Sequence, residues 1–246
     1  VDNLVYGVNP VLEALKGRQR KPLELIIVRT AASPRLAALK EAAAKRHVPV
    51  TAVTRPELDR MVDGARHQGV ALRVEACGTV ELEDLLAISQ RTLSPVVFLV
   101  LDGIMDPHNF GAIARSAEAA GCQGLILPKD RSCPVTAVVE KAAAGALSHL
   151  PVCRVTNVAR ALDACKSAGY WVYGLAAEPG SQNLFCADLC GNVVLVVGSE
   201  GKGLRDNVRN HCDALLKIPM RGEVSSLNAS VAAGIALFEV VRQQTI

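Results

Sequence analysis

The chain has 246 residues, half of them hydrophobic but only 3% aromatic, so its core has to be built from Val, Leu, Ile and Ala. That excludes an aromatic-rich β-sandwich as the natural reading and favours layered α/β architecture, with room for one large domain or two ordinary ones. The formal net charge of +3 does not identify a nucleic-acid partner, although residues 1–76 carry 13 Lys+Arg against 8 Asp+Glu while residues 93–246 balance at 13 against 13. A mildly basic first part is compatible with RNA contact and equally with an ordinary solvated surface.

Two α/β rhythms follow one another along the chain. In the first, "GVNPVLEALKG" reads as a short helix closed by Gly17 and "LELIIVR" as a strand. "SPRLAALKEAAAKRH" is a helix with Ser33 as N-cap and Pro34 in its first turn. "VPVTAV" and "GVALRVE" are strands flanking a helix near "RPELDRMV". This predicts a small α/β/α unit over 1–76. "CGTVELEDLLAISQRTLS" then reads as a linker, about 77–92, holding one short acidic helix.

The second rhythm, 93–246, opens with "PVVFLVL", a continuous apolar run of the kind a doubly covered parallel strand shows. A helix is expected from about Asn109 to Gly121, then the strand "GLILP", a helix around "VTAVVEKAAAGAL", the strand "VCRV" and the helix "NVARALDACKSAG". "WVYGLA", "NVVLVVG" and "ALLKIP" are the remaining strands before a last helix from about Asn228. Regular alternation of strand and helix predicts a parallel sheet. From Val231 to Val241 the only charge in the last helix is Glu239, so the helix is expected to be buried nearly all round. Its small residues Ala232, Ala233, Gly234 and Ala236 suit close approach of a second copy.

No apolar run reaches the ~20 residues that a spanning helix needs. The eight cysteines form no CxxC, and Cys186 and Cys190, four apart, have no His or Cys cluster at zinc-ligand spacing. The expectation is a cytoplasmic protein with reduced thiols, no metal site and no membrane partner.

In an open parallel sheet, ligands bind beyond the C-terminal strand ends. Three of the loops there are polar and rich in Gly or Asn: "DGIMDPHNFGAIARSAEAAG", "GSEGKGL" and "PMRGEVSSLNAS". "GSEGKGL" lacks the spacing of a Walker loop, and Gly198, Gly201 and Gly203 show the dinucleotide-binding spacing in reverse order, so both of those readings fail. Asn109 reads either as a helix cap or as a site residue. Asn228 has the same two readings, with the last helix as the one to cap. Ile218 and Leu227, taken alone, are core residues, and Arg115 alone is a solvated surface arginine.

Taken together, the three loops resemble the three signature motifs of the SpoU/TrmH branch of the SPOUT RNA methyltransferases. They match as "LDGIMDPHNFGAIARSAEAAG", "VVGSEGKGL" and "IPMRGEVSSLNASVAAGIALFE". "VYGVNPVLEAL" and "HQGVALRV" look like the L30e-like RNA-binding domain that precedes the catalytic domain in one subgroup. The resemblance implies an α/β SPOUT domain with a parallel sheet and a deep trefoil knot near the C-terminus, a homodimer, and S-adenosylmethionine (SAM) as methyl donor without metal. It implies methylation of a guanosine ribose 2′-OH in 23S ribosomal RNA. A tRNA ribose methyltransferase of the same family and a non-catalytic RNA-binding or assembly protein are the alternatives; a dinucleotide enzyme is disfavoured by its missing fingerprint. Carried over by motif, Gly198, Ile218, Met220 and Leu227 hold the methyl donor, while Asn109, Arg115, Glu200, Ser226 and Asn228 belong to the catalytic set. His108, a tempting base beside Asn109, is expected to have a structural or substrate-contact role. The family's mechanism has Arg115 activate the 2′-hydroxyl, but a guanidinium holds its proton in proteins, so stabilising alkoxide character suits it better.

Overall fold

The computed structural model describes residues 3–17, 20–29, 34–75 and 78–245; the expected cap Ser33 and the junction at 76–77 lie outside them. In chain order the elements are β1 (Leu4–Tyr6), α1 (Val8–Lys16), β2 (Pro22–Val28), α2 (Pro34–Lys45), β3 (Val50–Val53), α3 (Arg55–Met61), β4 (Val70–Val74), β5 (Thr79–Val80) and α4 (Leu82–Arg91). They continue as β6 (Val97–Asp102), α5 (Pro107–Ala119), β7 (Gly124–Pro128), α6 (Ala137–Ala143), β8 (Val152–Val155), α7 (Val158–Ser167) and β9 (Trp171–Leu175). The last are β10 (Gln182–Asn183), β11 (Val193–Gly198), α8 (Asp206–Arg209), β12 (Ala214–Lys217) and α9 (Ala229–Thr245). Two compact units result, one of residues up to 78 together with 134–149, the other of 79–133 and 150 onward.

The smaller unit is an α/β/α sandwich around a four-stranded sheet of order β1-β4-β2-β3, antiparallel except for the β2–β3 pair. Strand periodicity sends alternate side chains to opposite faces. Val5, Leu25 and Leu72 meet Val11 and Leu15 of α1 and Leu39 of α2 on one face. Leu4, Tyr6, Ile26 and Ala71 meet Leu58 of α3 on the other. α6, read from sequence as part of the second rhythm, packs here instead. Ala137 joins the Leu58 cluster, and the Lys141 ammonium sits 5.4 Å from the centre of the Tyr6 ring. The Glu140 carboxylate pairs with Arg20, both buried, and Arg20 Nε also donates to the Glu75 carbonyl at 2.9 Å. Burial pushes the Glu140 carboxyl up, and the adjacent Arg20 guanidinium opposes that shift.

The larger unit has an eight-stranded, wholly parallel sheet of order β10-β12-β9-β11-β6-β7-β8-β5. β6 and β11 lie at its centre, every residue of both is buried, and both faces are covered, as their unbroken apolar runs require. On one face Phe98, Val100, Val194 and Val196 pack with Leu85 of α4, and with Val158, Leu162 and Cys165 of α7. Leu99 and Leu101 alternate to the other face, which α5 and α9 cover. The stretch read as a linker is built into this unit: Thr79 and Val80 pair with β8, and Leu85 is 1% exposed. α5 starts at Pro107, two residues before the expected Asn109, because Asp106 caps it by accepting from the amides of His108 and Asn109.

α9 departs from its expected disposition. Glu239 is 6% exposed, and its carboxylate receives Arg242 Nε at 2.9 Å and Gln243 Nε2 at 2.8 Å. Those donors hold the Glu239 carboxyl below its ordinary range, Arg242 foremost. The solvent side of the helix is instead apolar, with Val231 49% and Phe238 51% exposed. Ala233 and Ala236 are fully covered by the chain's own atoms, so they are not the residues that a second copy would meet.

Truncating Leu85→Ala is expected to cost about 2–5 kcal/mol in urea unfolding, as for a buried leucine. A loss below about 0.5 kcal/mol would show that 79–92 behaves as a linker after all.

Candidate active site

The C-terminal ends of β6, β9, β11 and β12 come together along one edge of the parallel sheet. Gly198, the last residue of β11, stands opposite Asp102, the last residue of β6. After Gly198 the chain closes on itself: Ser199 N–H donates to the Gly203 carbonyl at 3.1 Å and Gly203 N–H donates back at 2.9 Å. A Cβ on Gly198 would lie 2.2 Å from the Gly203 carbonyl carbon, so no larger residue fits under this closed loop.

Asp102 holds the loop down. Its carboxylate, 1% exposed, accepts from the Arg205 backbone N–H at 3.0 Å, from Arg205 Nε at 2.6 Å and from the second arm of the same guanidinium. A buried carboxylate needs such donors. Sequence reading missed this pair; the signal available was an acid ending one apolar strand and an arginine ending the glycine loop of its neighbour.

The loop thus fixed presents Glu200 to the two other motifs. Asn109 Nδ2 donates to Glu200 Oε1, and Asn228 Nδ2 donates to the same oxygen at 3.1 Å and to Asn109 Oδ1 at 3.0 Å. The loops after β6, β11 and β12 therefore meet in one triangle of polar side chains. Asn228 also caps α9, its Oδ1 accepting from the amides of Ser230 at 2.9 Å and Val231 at 3.4 Å. Asn109 is not the cap of α5, since Asp106 has that place.

Next to the triangle is a cavity of ≈ 680 Å³, within the range for a nucleoside-sized ligand. Its wall includes Gly198, Glu200, Ile218, Met220, Ser226, Leu227 and Asn228, together with Ala176, Ala177 and Lys217, which the sequence had not singled out. Among the described residues no backbone hydrogen bond uses 218–227, so that stretch of wall offers peptide N–H and C=O groups unclaimed by the fold. Apolar side chains from Leu175, Ile218, Met220 and Leu227 alternate with these groups, a chemistry that fits an adenosine and the chain of a methionine.

Arg115 is not on this wall. It is exposed on α5, without a hydrogen-bond or ion-pair partner among the described residues, and about 120° around the helix from Asn109 at 3.6 residues per turn. His108 is likewise exposed and outside the triangle. No cysteine is among the residues lining the cavity, and burial pushes Cys122, Cys165 and Cys212 up to about 12. Among the described residues no group of three or more His, Cys, Asp or Glu could hold a metal ion, and none of their helices is long and apolar enough to cross a membrane.

Residues 96–238 match the model of the SpoU rRNA methylase family, and residues 4–77 match that of the RNA 2′-O ribose methyltransferase substrate-binding family. A 23S rRNA (guanosine-2′-O-)-methyltransferase RlmB from Pseudomonas putida is 44% identical over 98% of this chain and 97% of its own. The Vibrio vulnificus RlmB is 40% identical over 99% and 98% respectively. Among solved structures, the SpoU methyltransferase AviRb from Streptomyces viridochromogenes with bound AdoMet aligns with a TM-score of 0.79 at 27% identity, covering 98% of this chain and 90% of that one. An AdoMet-bound rRNA methyltransferase from Sinorhizobium meliloti aligns at 0.78 with 26% identity, covering 97% and 86%. With a matched catalytic region spanning more than half its length, the chain belongs to the SpoU rRNA methylase family.

Proposed function

We propose that this protein transfers a methyl group from SAM to the ribose 2′-oxygen of a guanosine in 23S ribosomal RNA, in the cytoplasm and as a homodimer. The observation that carries the reading is the Asn109–Glu200–Asn228 triangle, which brings three motif loops to the mouth of a cavity rich in unclaimed backbone groups. When bound, SAM supplies an electrophilic methyl on its sulfonium. The chain's task is to place the 2′-oxygen in line with that methyl and to accommodate the departing proton.

Backbone groups of 198–201 and 218–227 hold the donor, with Ile218, Met220 and Leu227 against its apolar parts. The triangle fixes Glu200 through one carboxylate oxygen and leaves the other free to accept from the ribose hydroxyl, with Ser226 at the same edge. Arg115, permanently protonated, binds the adjacent phosphate and stabilises negative charge on the 2′-oxygen. Its position off its own cavity wall fits a dimer in which α5 and α9 of one copy meet the other and Arg115 completes the partner site. The exposed Val231 and Phe238, an i, i+7 pair on one face of α9, suit such an interface. As part of this reading, the segment from Ile218 onward is threaded to form the trefoil knot, with β12 lying between β10 and β9. Residues 1–76 are the RNA-binding part. A tRNA target is the second reading; mapping 2′-O-methyl sites in rRNA and tRNA from cells without the protein decides between them.

Arg115→Ala is expected to lower turnover by at least about 10²-fold, as loss of a charge-stabilising group does, with SAM affinity within a few-fold of wild type by calorimetry. Neither Arg115→Ala nor Asn228→Ala alone should methylate, yet a co-refolded mixture should regain activity; no recovery would mean that each site is made within one chain.

Arg205→Ala leaves the Asp102 carboxylate short of its charged partner and is expected to destabilise the protein by about 3 kcal/mol in urea unfolding, with Arg205→Lys retaining part of the difference.

Phe238→Glu should leave a folded protein that sediments as a monomer at micromolar concentration, whereas Ala233→Glu should fail to fold because it buries an unpaired carboxylate. A dimeric Phe238→Glu protein would place the interface elsewhere.

A further inference from the structure

The smaller unit contains a hollow of its own, ≈ 360 Å³, between the start of α3 and the turn that leads into β4. Its polar wall is made by Arg55, Asp59, Arg66, His67 and Gln68. The turn is held in an unusual shape. Asp63, Gly64, Gln68 and Gly69 all have left-handed backbones, with φ of 52, 70, 56 and 84, and two of the four are not glycine. Such conformations persist where surrounding contacts over-determine them, and they concentrate at binding sites.

Those contacts are present. The His67 ring is buried; its Nε2–H donates to Asp59 Oδ1 at 2.8 Å and its Nδ1 accepts from the Gly69 amide at 3.0 Å, which fixes both tautomer and orientation. The Gln68 side chain accepts from the Val8 amide at 2.9 Å. Across the hollow, Thr54 and Glu57 form a reciprocal capping box that sets the first turn of α3, where Arg55 sits.

Charge is arranged unevenly on this scaffold. Of the nearby acids, Asp59 accepts from His67 and Glu57 from Thr54, which fixes both carboxylates in place, while Asp63 is exposed in the turn. Arg55 and Arg66 are exposed and have no ion pair or hydrogen bond among the described residues. Two unpaired guanidinium groups bordering a preorganised hollow are matched by an oxyanion with several acceptors, and a phosphodiester is the form of it that an RNA chain supplies at every nucleotide.

Resting on the reading of this protein as an rRNA methyltransferase, we propose that the hollow bordered by Arg55 and Arg66 is an RNA phosphate subsite, distinct from the methyl-transfer cavity, that clamps the substrate backbone. The pinned turn presents Arg66 at one side and the capped helix presents Arg55 at the other, so little ordering is left to be done when RNA arrives.

The test uses the full chain and a 23S rRNA fragment that the wild-type protein binds and methylates, with binding measured across a salt series. Arg55→Ala and Arg66→Ala should each weaken binding by about tenfold, as loss of a charged hydrogen bond does, and each should reduce the magnitude of the slope of log affinity against log salt by about 0.7–0.9. Melting temperature and SAM affinity should be unchanged. Lys40→Ala, an exposed cation on α2, serves as the control and should leave affinity within twofold. Wild-type affinity and slope in both arginine variants would overturn the proposal, as would an equal loss in Lys40→Ala, which would mean diffuse surface charge. A wild-type protein that neither binds nor methylates the fragment would instead overturn the functional reading, and the subsite with it. Competition by an acidic peptide but not by the RNA fragment would assign the hollow to a protein partner and likewise reject it.

Discussion

A carboxylate at the end of a fully buried strand has no water to turn to, and the larger unit is organised around the solution found for Asp102. The side chain closes β6, one of the two central strands, and takes its hydrogen bonds from the backbone and guanidinium of Arg205, at the far end of the glycine loop after β11. Breaking such a pair from one side leaves a buried charge uncompensated, which makes the link stiff as well as strong. The loop has little slack of its own, because Ser199 and Gly203 are doubly bonded and Gly198 is pressed against them. The position of Glu200 is therefore inherited from Asp102. Through Glu200 so are those of Asn109 and Asn228, and through Asn228 the start of α9. One buried acid orders three loops that are far apart in sequence.

The stretch between β12 and α9 shows the complementary strategy. From 218 to 227 the fold claims no backbone hydrogen bonds among the described residues, although both ends of the stretch are anchored, one by a strand and the other by the Asn228 cap. Exposed peptide groups of this kind are satisfied by water or by a ligand. On the proposed function, a rigid triangle beside a wall of uncommitted backbone would separate two requirements of group transfer: orientation of the acceptor, which tolerates no play, and binding of a donor, which needs many weak contacts.

Much of this was legible in the sequence, and the parts that were not share a physical cause. The strands β6, β7 and β11 announced themselves because burial on both faces forces uninterrupted apolar runs. The loops that converge were found because ligands gather at C-terminal strand ends, a rule that names places without needing side-chain detail. β5 and β10, two residues each, carry too little pattern to register, and so the stretch before β6 read as a linker. α6 was recognised as a helix but assigned to the wrong unit: an apolar stripe states that a helix must be covered, not which sheet covers it. What decided its place was Arg20, 120 residues away in sequence. The expectation that α9 is buried nearly all round fails on one side: Arg242 and Gln243, one turn on, allow Glu239 to face inward, and Val231 and Phe238 are left outside.

Charge pairing also explains how a chain with a formal net charge of only +3 suits an RNA substrate. A net charge weighs every ionised group alike, whereas the field that an approaching polyanion meets depends on which groups are already compensated at short range. Asp102 is engaged by Arg205, Glu140 by Arg20 and Glu239 by Arg242, each a neutral pair that contributes little beyond its own neighbourhood. Glu57 is held by the Thr54 amide and hydroxyl at an exposed helix start. Arg55, Arg66 and Arg115 have no such partner among the described residues. Each such pair removes a cation along with an acid, so what a phosphate backbone meets is set by where the unpaired cations stand.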